Sequence, residues 1–475
     1  MRNFPKLHHL VIENPAWFTS EIFPGNPYFL KKFFIGIHRW SLRRIERDSL
    51  EDVQALQLRR LRRLIKHAYN TVPFWHDWMD GSGVKPEDIN SFQDLSNIPS
   101  VTKKVLNSVS QEELVSSKAT ASHYRIVTTT GTTGVPLKIF YDNLTEERYA
   151  AMKLRVSDWN LEKKNKDDLY IRVGRSNNFF DGFTAFVALD FPFLNFVKSQ
   201  LYQLCGKRKC VLYSYPSYLI YLAKLIKSEK IDMPLKGIMT SAESLNSEEF
   251  ALLKEIFKCP IGERYGTTEV GTIAQTCSAG KYHINIDQCV VEVITRDGII
   301  TPADISGKLF GRVVVTDLNN YVMPFIRYEV GDISILSQEE CGCGKLFPVI
   351  HFEGRDIAVA KFSDGRILHS FNLLWPLARR PDWISRYQVI RNLPDQFTVL
   401  VVPRNKYLNS DISELQEELL EILKFEAGVE IKIVPEIETR GSNKFRPFIS
   451  LVPGDAESMA FRDYKLENIQ HLRSH

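Results

Sequence analysis

Between Tyr215 and Tyr265 the chain switches hydrophobic period repeatedly, and this restricts the fold more than any other feature. Tyr215-Pro216-Ser217 opens a helical pattern through Leu219, Leu222, Ala223 and Ile226, with Ser214 or Ser217 placed to cap it. Leu235 to Ser241 reads as a strand, Ser247 to Phe257 as a helix, and Ile261 to Tyr265 as a further strand. Helices and strands in alternation bury against one another, so α/β layers are expected. From Tyr282 to Leu336 the helical period disappears. Strand follows strand, with turns at Asp297-Gly298 and Leu318-Asn319-Asn320, and a small β-subdomain over about 282–353 is expected. Beyond Gly354-Arg355-Asp356 a fresh run of strand, Asp364-Gly365 turn, helix and strand indicates a separate α+β domain. The hinge is placed between Glu353 and Ile357. The chain's 475 residues exceed what one core serves, which fits a large unit over 1–353 and a smaller one over 354–475.

A helical lead-in occupies about residues 1–120. Within it, SLEDVQALQLRRLRRLIKHAYNTVPF from Ser49 places Leu61, Leu64, Ile65 and Ala68 on one helical face and leaves Arg59, Arg62, Arg63 and Lys66 largely off it. The basic edge reads as a solvated face, because no aromatic ladder accompanies it and a formal charge of +4 is too small an excess to attract nucleic acid. Met1 to Pro15 lacks the apolar core of a signal peptide, and Lys31 and Lys32 break the short apolar stretch Phe29 to Ile37, so no membrane span is expected. With His38, Arg39, Arg43 and Arg44 nearby, that stretch fits either simple packing on the domain or peripheral contact with a membrane or partner. Seven cysteines, an odd number, are no secreted disulfide framework, and a reducing cytoplasm is expected.

Tyr124 to Tyr141, YRIVTTTGTTGVPLKIFY, reads as strand, loop, strand. Gly131 and Gly134 can take positive φ, and Thr128, Thr129, Thr130, Thr132 and Thr133 add hydroxyl donors to the main-chain N–H groups. Such a nest suits a polyphosphate. An ordinary Gly/Thr hairpin turn has the same composition, so other segments must decide. A Walker P-loop is excluded, since no Gly-Lys-Ser/Thr follows and no helix opens after the loop.

Further segments follow in order: Ser241-Ala242-Glu243, Tyr265-Gly266-Thr267-Thr268-Glu269, Arg327-Tyr328-Glu329-Val330-Gly331-Asp332, Gly354-Arg355, and Lys444 near the end. In this order the chain resembles the adenylate-forming enzymes, specifically the branch with phenylacetate coenzyme A ligase and the CapK proteins of polysaccharide gene clusters. The resemblance runs from about Asp52 to Arg446 and includes VPFWHDW and SNIPSVTKKVL ahead of the loop. It implies a large adenylate-forming domain and a small mobile C-terminal lid carrying the catalytic lysine. It implies ATP and Mg²⁺, with Thr129 to Gly134 holding the departing phosphates, Thr268 on the α-phosphate and Glu269 recruiting the metal. Tyr265, leading into Gly266 and Thr267, would flank the adenine with the Ser241-Ala242-Glu243 backbone; Asp332 and Arg355 would hold the ribose. Lys444 would bridge carboxylate and α-phosphate. Part of the aromatic region from Tyr170 to Phe196 would line the acyl pocket.

The implied activity is conversion of a small carboxylic acid to an acyl- or aryl-adenylate with release of pyrophosphate. Transfer follows to coenzyme A, a carrier protein, or an amine or hydroxyl of a sugar in surface-polysaccharide synthesis; a homodimer is compatible with it. The hinge departs from the Gly-Arg-x-Asp-Asp of the coenzyme A ligases, reading Gly354-Arg355-Asp356-Ile357-Ala358, so the thioester step is less well supported than adenylation. Two other readings use the same segments: transfer of AMP to an acceptor hydroxyl, and a non-catalytic nucleotide-binding scaffold. Lys444 together with Glu269 argues against the scaffold.

A second constellation is independent of ATP. Cys277 and His283 flank a Ser-Ala-Gly turn, and Cys341-Gly342-Cys343 follows the strand-rich stretch, giving a Cys₃His set of tetrahedral zinc type. Reduced thiols on neighbouring turns are the alternative. The resemblance adds that some members of the branch carry a structural metal at matching positions. Cys205, Cys210, Cys259 and Cys289 read as core.

Overall fold

The structure is a computed structural model. It describes residues 27–119, 124–129, 136–161, 168–174, 185–188, 209–241, 245, 247–295, 299–300, 308–337, 340–355, 359–362, 367–369, 373–374, 376–377, 380, 382–423, 427–437 and 448–452.

The lead-in is helical: α1 (Pro27–Ile45), α2 (Leu50–Thr71), α3 (Pro73–Gly81) and the short α4 (Lys103–Asn107). The Ser49 hydroxyl caps α2 by accepting from the Asp52 N–H at 3.1 Å, satisfying one of the orphan donors of the first turn. Leu61, Leu64, Ile65 and Ala68 are buried, while Arg59, Arg62, Arg63 and Lys66 face solvent as the periodicity requires. Arg60 is buried too, donating to the carbonyls of Asp287 and Leu318, so a cation pins α2 to a segment more than two hundred residues away.

A hairpin of β1 (Tyr124–Thr128) and β2 (Lys138–Asp142) leads into α5 (Asn143–Asn160). The following strands are β3 (Leu169–Gly174), β4 (Ala185–Ala188), β5 (Cys210–Ser214), β6 (Leu235–Ser241) and β7 (Ile261–Thr267), with α6 (Pro216–Glu229) and α7 (Ser247–Phe257) between the last three. All five strands pair in parallel. Alternate residues separate two cores: Leu169, Ile171, Leu212 and Ile238 pack with α6 and α7, whereas Tyr170, Val211, Tyr213 and Met239 pack with α5. Helices on both faces are what a parallel sheet demands, and the α/β expectation is met. The cap of α6 differs from the expectation: Tyr215 takes the N-cap position without a side-chain bond, and Pro216 begins the helix.

The sheet then turns antiparallel through β8 (Gly271–Thr276), β9 (Tyr282–Ile284), β10 (Cys289–Ile294), β11 (Ile299–Ile300), β12 (Lys308–Asp317), β13 (Tyr328–Ser337) and β14 (Val349–Arg355). Spatially the order is β11-β10-β12-β13-β14-β9-β8-β7-β6-β5-β3-β4, so the all-strand stretch continues the parallel half as one 12-stranded sheet. Helix α1 lies against α5. Arg39 and Arg43 both pair with Asp158, and Lys31 pairs with Glu146 at 2.6 Å, so these three basic residues are engaged within the fold.

Beyond the hairpin of β15 (Val359–Lys361) and β16 (Ile367–His369) lies a four-stranded sheet of β17 (Ile384–Leu393), β18 (Gln396–Pro403), β19 (Gly428–Ile433) and β20 (Phe448–Ser450), with α8 (Asn409–Ile422) packed on it. Leu415 and Leu419 of α8 join Val389, Val399 and Val401 in a separate core, and Ile333 of β13 belongs to that core as well. Among the described residues no helix is long and apolar enough to cross a membrane.

Candidate active site

Residues 124–128 and 138–142 pair antiparallel, with Thr128 opposite Lys138. Thr129 closes the base of the intervening loop: its N–H donates to the Leu137 carbonyl at 3.0 Å, and its hydroxyl accepts from the Leu137 N–H at 2.9 Å. The same hydroxyl accepts from the Lys103 ammonium at 3.0 Å. Lys103, in the lead-in, places a cation at the foot of the loop. Sequence reasoning missed it because nothing in the spacing of Thr102-Lys103 points to a loop more than twenty residues on. Thr130, Gly131, Thr132, Thr133 and Gly134 lie outside the described residues, as do Ala242, Glu243 and Lys444 and most of the aromatic region from Tyr170 to Phe196.

The Tyr265–Glu269 segment ends β7 and turns into β8. A Cβ on Gly266 would lie 2.1 Å from the Gly271 carbonyl oxygen, so only glycine lets the strands close there. Gly271 has φ +69 and its missing Cβ would meet the Tyr149 ring at 2.8 Å. The turn presents Thr267, whose hydroxyl accepts from the Val270 N–H at 3.3 Å, then Thr268 and the buried Glu269. Tyr328 donates its hydroxyl to Glu269 Oε1 at 3.0 Å, fixing the carboxylate while its other oxygen keeps the hard lone pairs that Mg²⁺ requires. Tyr265 likewise donates to Asp332 Oδ2 at 2.5 Å, and Asp332 stands opposite Arg355 in the β13–β14 register. Two tyrosines thus orient two carboxylates, and the positions expected to flank adenine and ribose are adjacent. Phe352 lies against the Tyr265 ring with centroids 3.6 Å apart.

The lead-in is stitched to the same strand. The Val101 N–H donates to the Arg327 carbonyl and its carbonyl accepts from the Glu329 N–H, both at 2.9 Å, and Ser100 donates to Glu329 Oε1 at 2.6 Å. Arg327 is a non-glycine residue at φ 45, a conformation that persists only when its surroundings over-determine it. They do: its Nε lies 3.0 Å from Glu292 Oε2 in a fully buried pair, and Nη1 donates to the carbonyls of Ser96, at 3.0 Å, and Ile98. Arg327→Ala leaves Glu292 buried without its cation and is expected to cost about 3–5 kcal/mol, read as a lower urea midpoint. A smaller loss than Tyr328→Phe produces would remove Arg327 from this role.

The Cys₃His set converges. Single ligand atoms of Cys277, His283, Cys341 and Cys343 all lie within 4.8 Å of one another. The Cys277 and Cys341 sulfurs are 3.6 Å apart, and Cys343 Sγ is 3.4 Å from His283 Nε2. A disulfide needs about 2.05 Å, whereas a tetrahedron with Zn–S bonds of about 2.3 Å has S–S edges of about 3.8 Å. His283 Nδ1 stands 2.5 Å from the Phe347 carbonyl, which makes Nδ1 the donor and turns the lone pair of Nε2 toward the thiols. Burial, foremost, keeps this imidazole below its usual pKa and hence neutral. Gly280, at φ +76, lets the turn after Cys277 close, with its N–H donating to the Cys277 carbonyl at 2.9 Å. The four residues fit a structural zinc ion.

No family model matches the chain. Among curated proteins it is similar to the phenylacetate–coenzyme A ligase of Thermus thermophilus, 25% identical over 320 residues that are 62% of this chain and 68% of that one. The phenylacetate–coenzyme A ligase of Escherichia coli is 33% identical over 119 residues, 23% of this chain and 25% of the relative. Among solved structures it is similar to 2-hydroxyisobutyryl-CoA ligase in a postadenylation state with a bound adenylate: TM-score 0.62, 16% identity, covering 90% of this chain and 93% of that one. At such identity the likeness shows the fold.

Proposed function

We propose that the chain, which its relatives place on the phenylacetate–coenzyme A ligase-like branch of the adenylate-forming superfamily, activates a small carboxylic acid with ATP. A carboxylate oxygen attacks the α-phosphorus, the bond to the β-phosphate oxygen breaks, and pyrophosphate leaves. An acceptor nucleophile then attacks the acyl carbon and AMP departs. The reaction joins two anions, so the protein's task is neutralisation and positioning. Lys103 and the loop closed by Thr129 would receive the β- and γ-phosphates. Glu269, oriented by Tyr328, would hold Mg²⁺, whose contribution is to offset phosphate charge; Thr268 would bond the α-phosphate. Tyr265 and Ser241 to Glu243 would flank the adenine, and Asp332 with Arg355 the ribose. Lys444, in the proposed lid over 354–475, would bridge the reacting groups. Coenzyme A, as the names of the relatives indicate, is the first acceptor to test, and the cytoplasm supplies both it and ATP. Zinc at Cys277, His283, Cys341 and Cys343 would be structural, since four protein ligands fill the tetrahedron.

The observation that carries this reading is the pair of tyrosine-held carboxylates, Glu269 in the β7–β8 turn and Asp332 within β13, the strand to which the lead-in that reaches the loop is joined. The test is exchange of labelled pyrophosphate into ATP, expected only with Mg²⁺ and a suitable acid. Exchange driven by acceptor hydroxyls without acid would favour AMP transfer, and none with any acid would refute the proposal. Asp332→Ala is expected to weaken ATP binding tenfold or more in calorimetry, through loss of about 1.5–3 kcal/mol per charged hydrogen bond. An unchanged dissociation constant would move the nucleotide elsewhere.

A further inference from the structure

Arg264 precedes Tyr265 on β7, so its side chain projects from the opposite face of the strand. There, among the described residues, the guanidinium meets neutral oxygens. Nε donates to the Tyr213 hydroxyl at 2.6 Å, Nη1 to Thr272 Oγ1 at 3.0 Å and Nη2 to Ser241 Oγ at 3.2 Å. Among the described residues no carboxylate pairs with it. Arginine has five N–H donors, and these bonds use one on each nitrogen, leaving one on each terminal nitrogen. A guanidinium that keeps an N–H on each terminal nitrogen can offer two donors to the two oxygens of a carboxylate.

The surroundings favour a ligand over a structural role. Tyr213 and Ser241 are buried, and Thr272 almost fully so, whereas Arg264 itself is only half-buried. A partly desolvated cation whose partners among the described residues are all neutral gains from an anion brought to it. Gln275 stands directly opposite Arg264 in the β7–β8 register, fully buried, and neither its amide nitrogen nor its amide oxygen has a partner among the described residues. Both groups therefore flank one place on the sheet, one residue from the tyrosine expected at the adenine and five from the carboxylate expected to hold the metal.

We propose that Arg264, clamped by Tyr213, Thr272 and Ser241, receives a second anionic group of the acid this protein activates, so that its substrates are dicarboxylates or comparably anionic acids. This rests on the adenylation reading above. The experiment compares matched pairs, glutarate with butyrate and 4-carboxyphenylacetate with phenylacetate, in pyrophosphate exchange on the full chain. Wild type is expected to favour the diacid of each pair. In Arg264→Met the diacid-to-monoacid ratio of kcat/KM should fall about 10- to 100-fold, the range for losing a charged hydrogen-bonding partner, and Arg264→Lys should restore part of it. A ratio unchanged in Arg264→Met, or a wild-type preference for the monoacids, would overturn the proposal while leaving adenylation intact. Calorimetric binding of the same diacids without ATP separates the two readings. Arg264-dependent binding without exchange would uphold this site and refute adenylation, and Arg264-independent binding would refute the site.

Discussion

Lys444→Ala is expected to reduce acid-dependent pyrophosphate exchange by about two orders of magnitude or more, because a preorganised electrostatic donor contributes about 3 kcal/mol or more to such a transition state. The carboxylate and the α-phosphate are both anionic, and an ammonium brought between them would offset charge that Mg²⁺ held by Glu269 would not reach. Lys444 lies outside the described residues, so its role belongs to the proposed function. ATP affinity should change far less than exchange, since the ribose and adenine contacts are assigned to other residues. Normal exchange in the variant would refute the assignment. An equal loss of exchange and ATP affinity would make Lys444 a ground-state binding residue.

The second large effect concerns the metal. Cys341→Ser/Cys343→Ser removes two of the four converged ligands, and elemental analysis should find about one zinc per wild-type chain and much less in the variant. Zinc ligation supplies about 10–16 kcal/mol in isolated zinc-binding peptides, so losing even part of it should lower the thermal transition markedly. The ion would join the end of β8 to β9 and to the segment before β14, strands that also carry or neighbour Tyr265 and Asp332. Stability should therefore fall before the chemistry does. Zinc-free wild type with the same melting temperature as the variant would leave the cysteines as plain thiols.

Strands β6 and β7 and helices α6 and α7 were legible in the sequence because each buries a regular face, and a period of 2 or 3.6 is written into that face; the parallel strands β3, β4 and β5 were not read from it. Cys210, Cys259 and Cys289 are buried, as their settings led one to expect. The Cys₃His set was legible for a different reason: few residue types ligate zinc, so their proximity is informative even without periodicity. The contacts that complete the site left no such trace. Lys103 to Thr129, Ser100 to Glu329 and Tyr328 to Glu269 are single hydrogen bonds between segments brought together only by the finished sheet. Arg60 also went unremarked in the sequence: its neighbours Arg59, Arg62 and Arg63 are solvated as read, yet carbonyls on distant loops draw Arg60 inside. The cap of α6 was missed because Pro216 begins a helix without needing a hydroxyl before it.

Strand β13 gives its two faces to different masters. Asp332 receives the hydroxyl of Tyr265 on one side, and the next residue, Ile333, is sealed in the core of the C-terminal sheet on the other. A twist of the strand that suits one side is therefore registered by the other. If nucleotide at Asp332 changes how firmly the C-terminal core grips Ile333, thermodynamic reciprocity requires that grip to change nucleotide affinity by the same factor. The lid and the nucleotide would then be in communication through one peptide unit, with no relay of side chains between them.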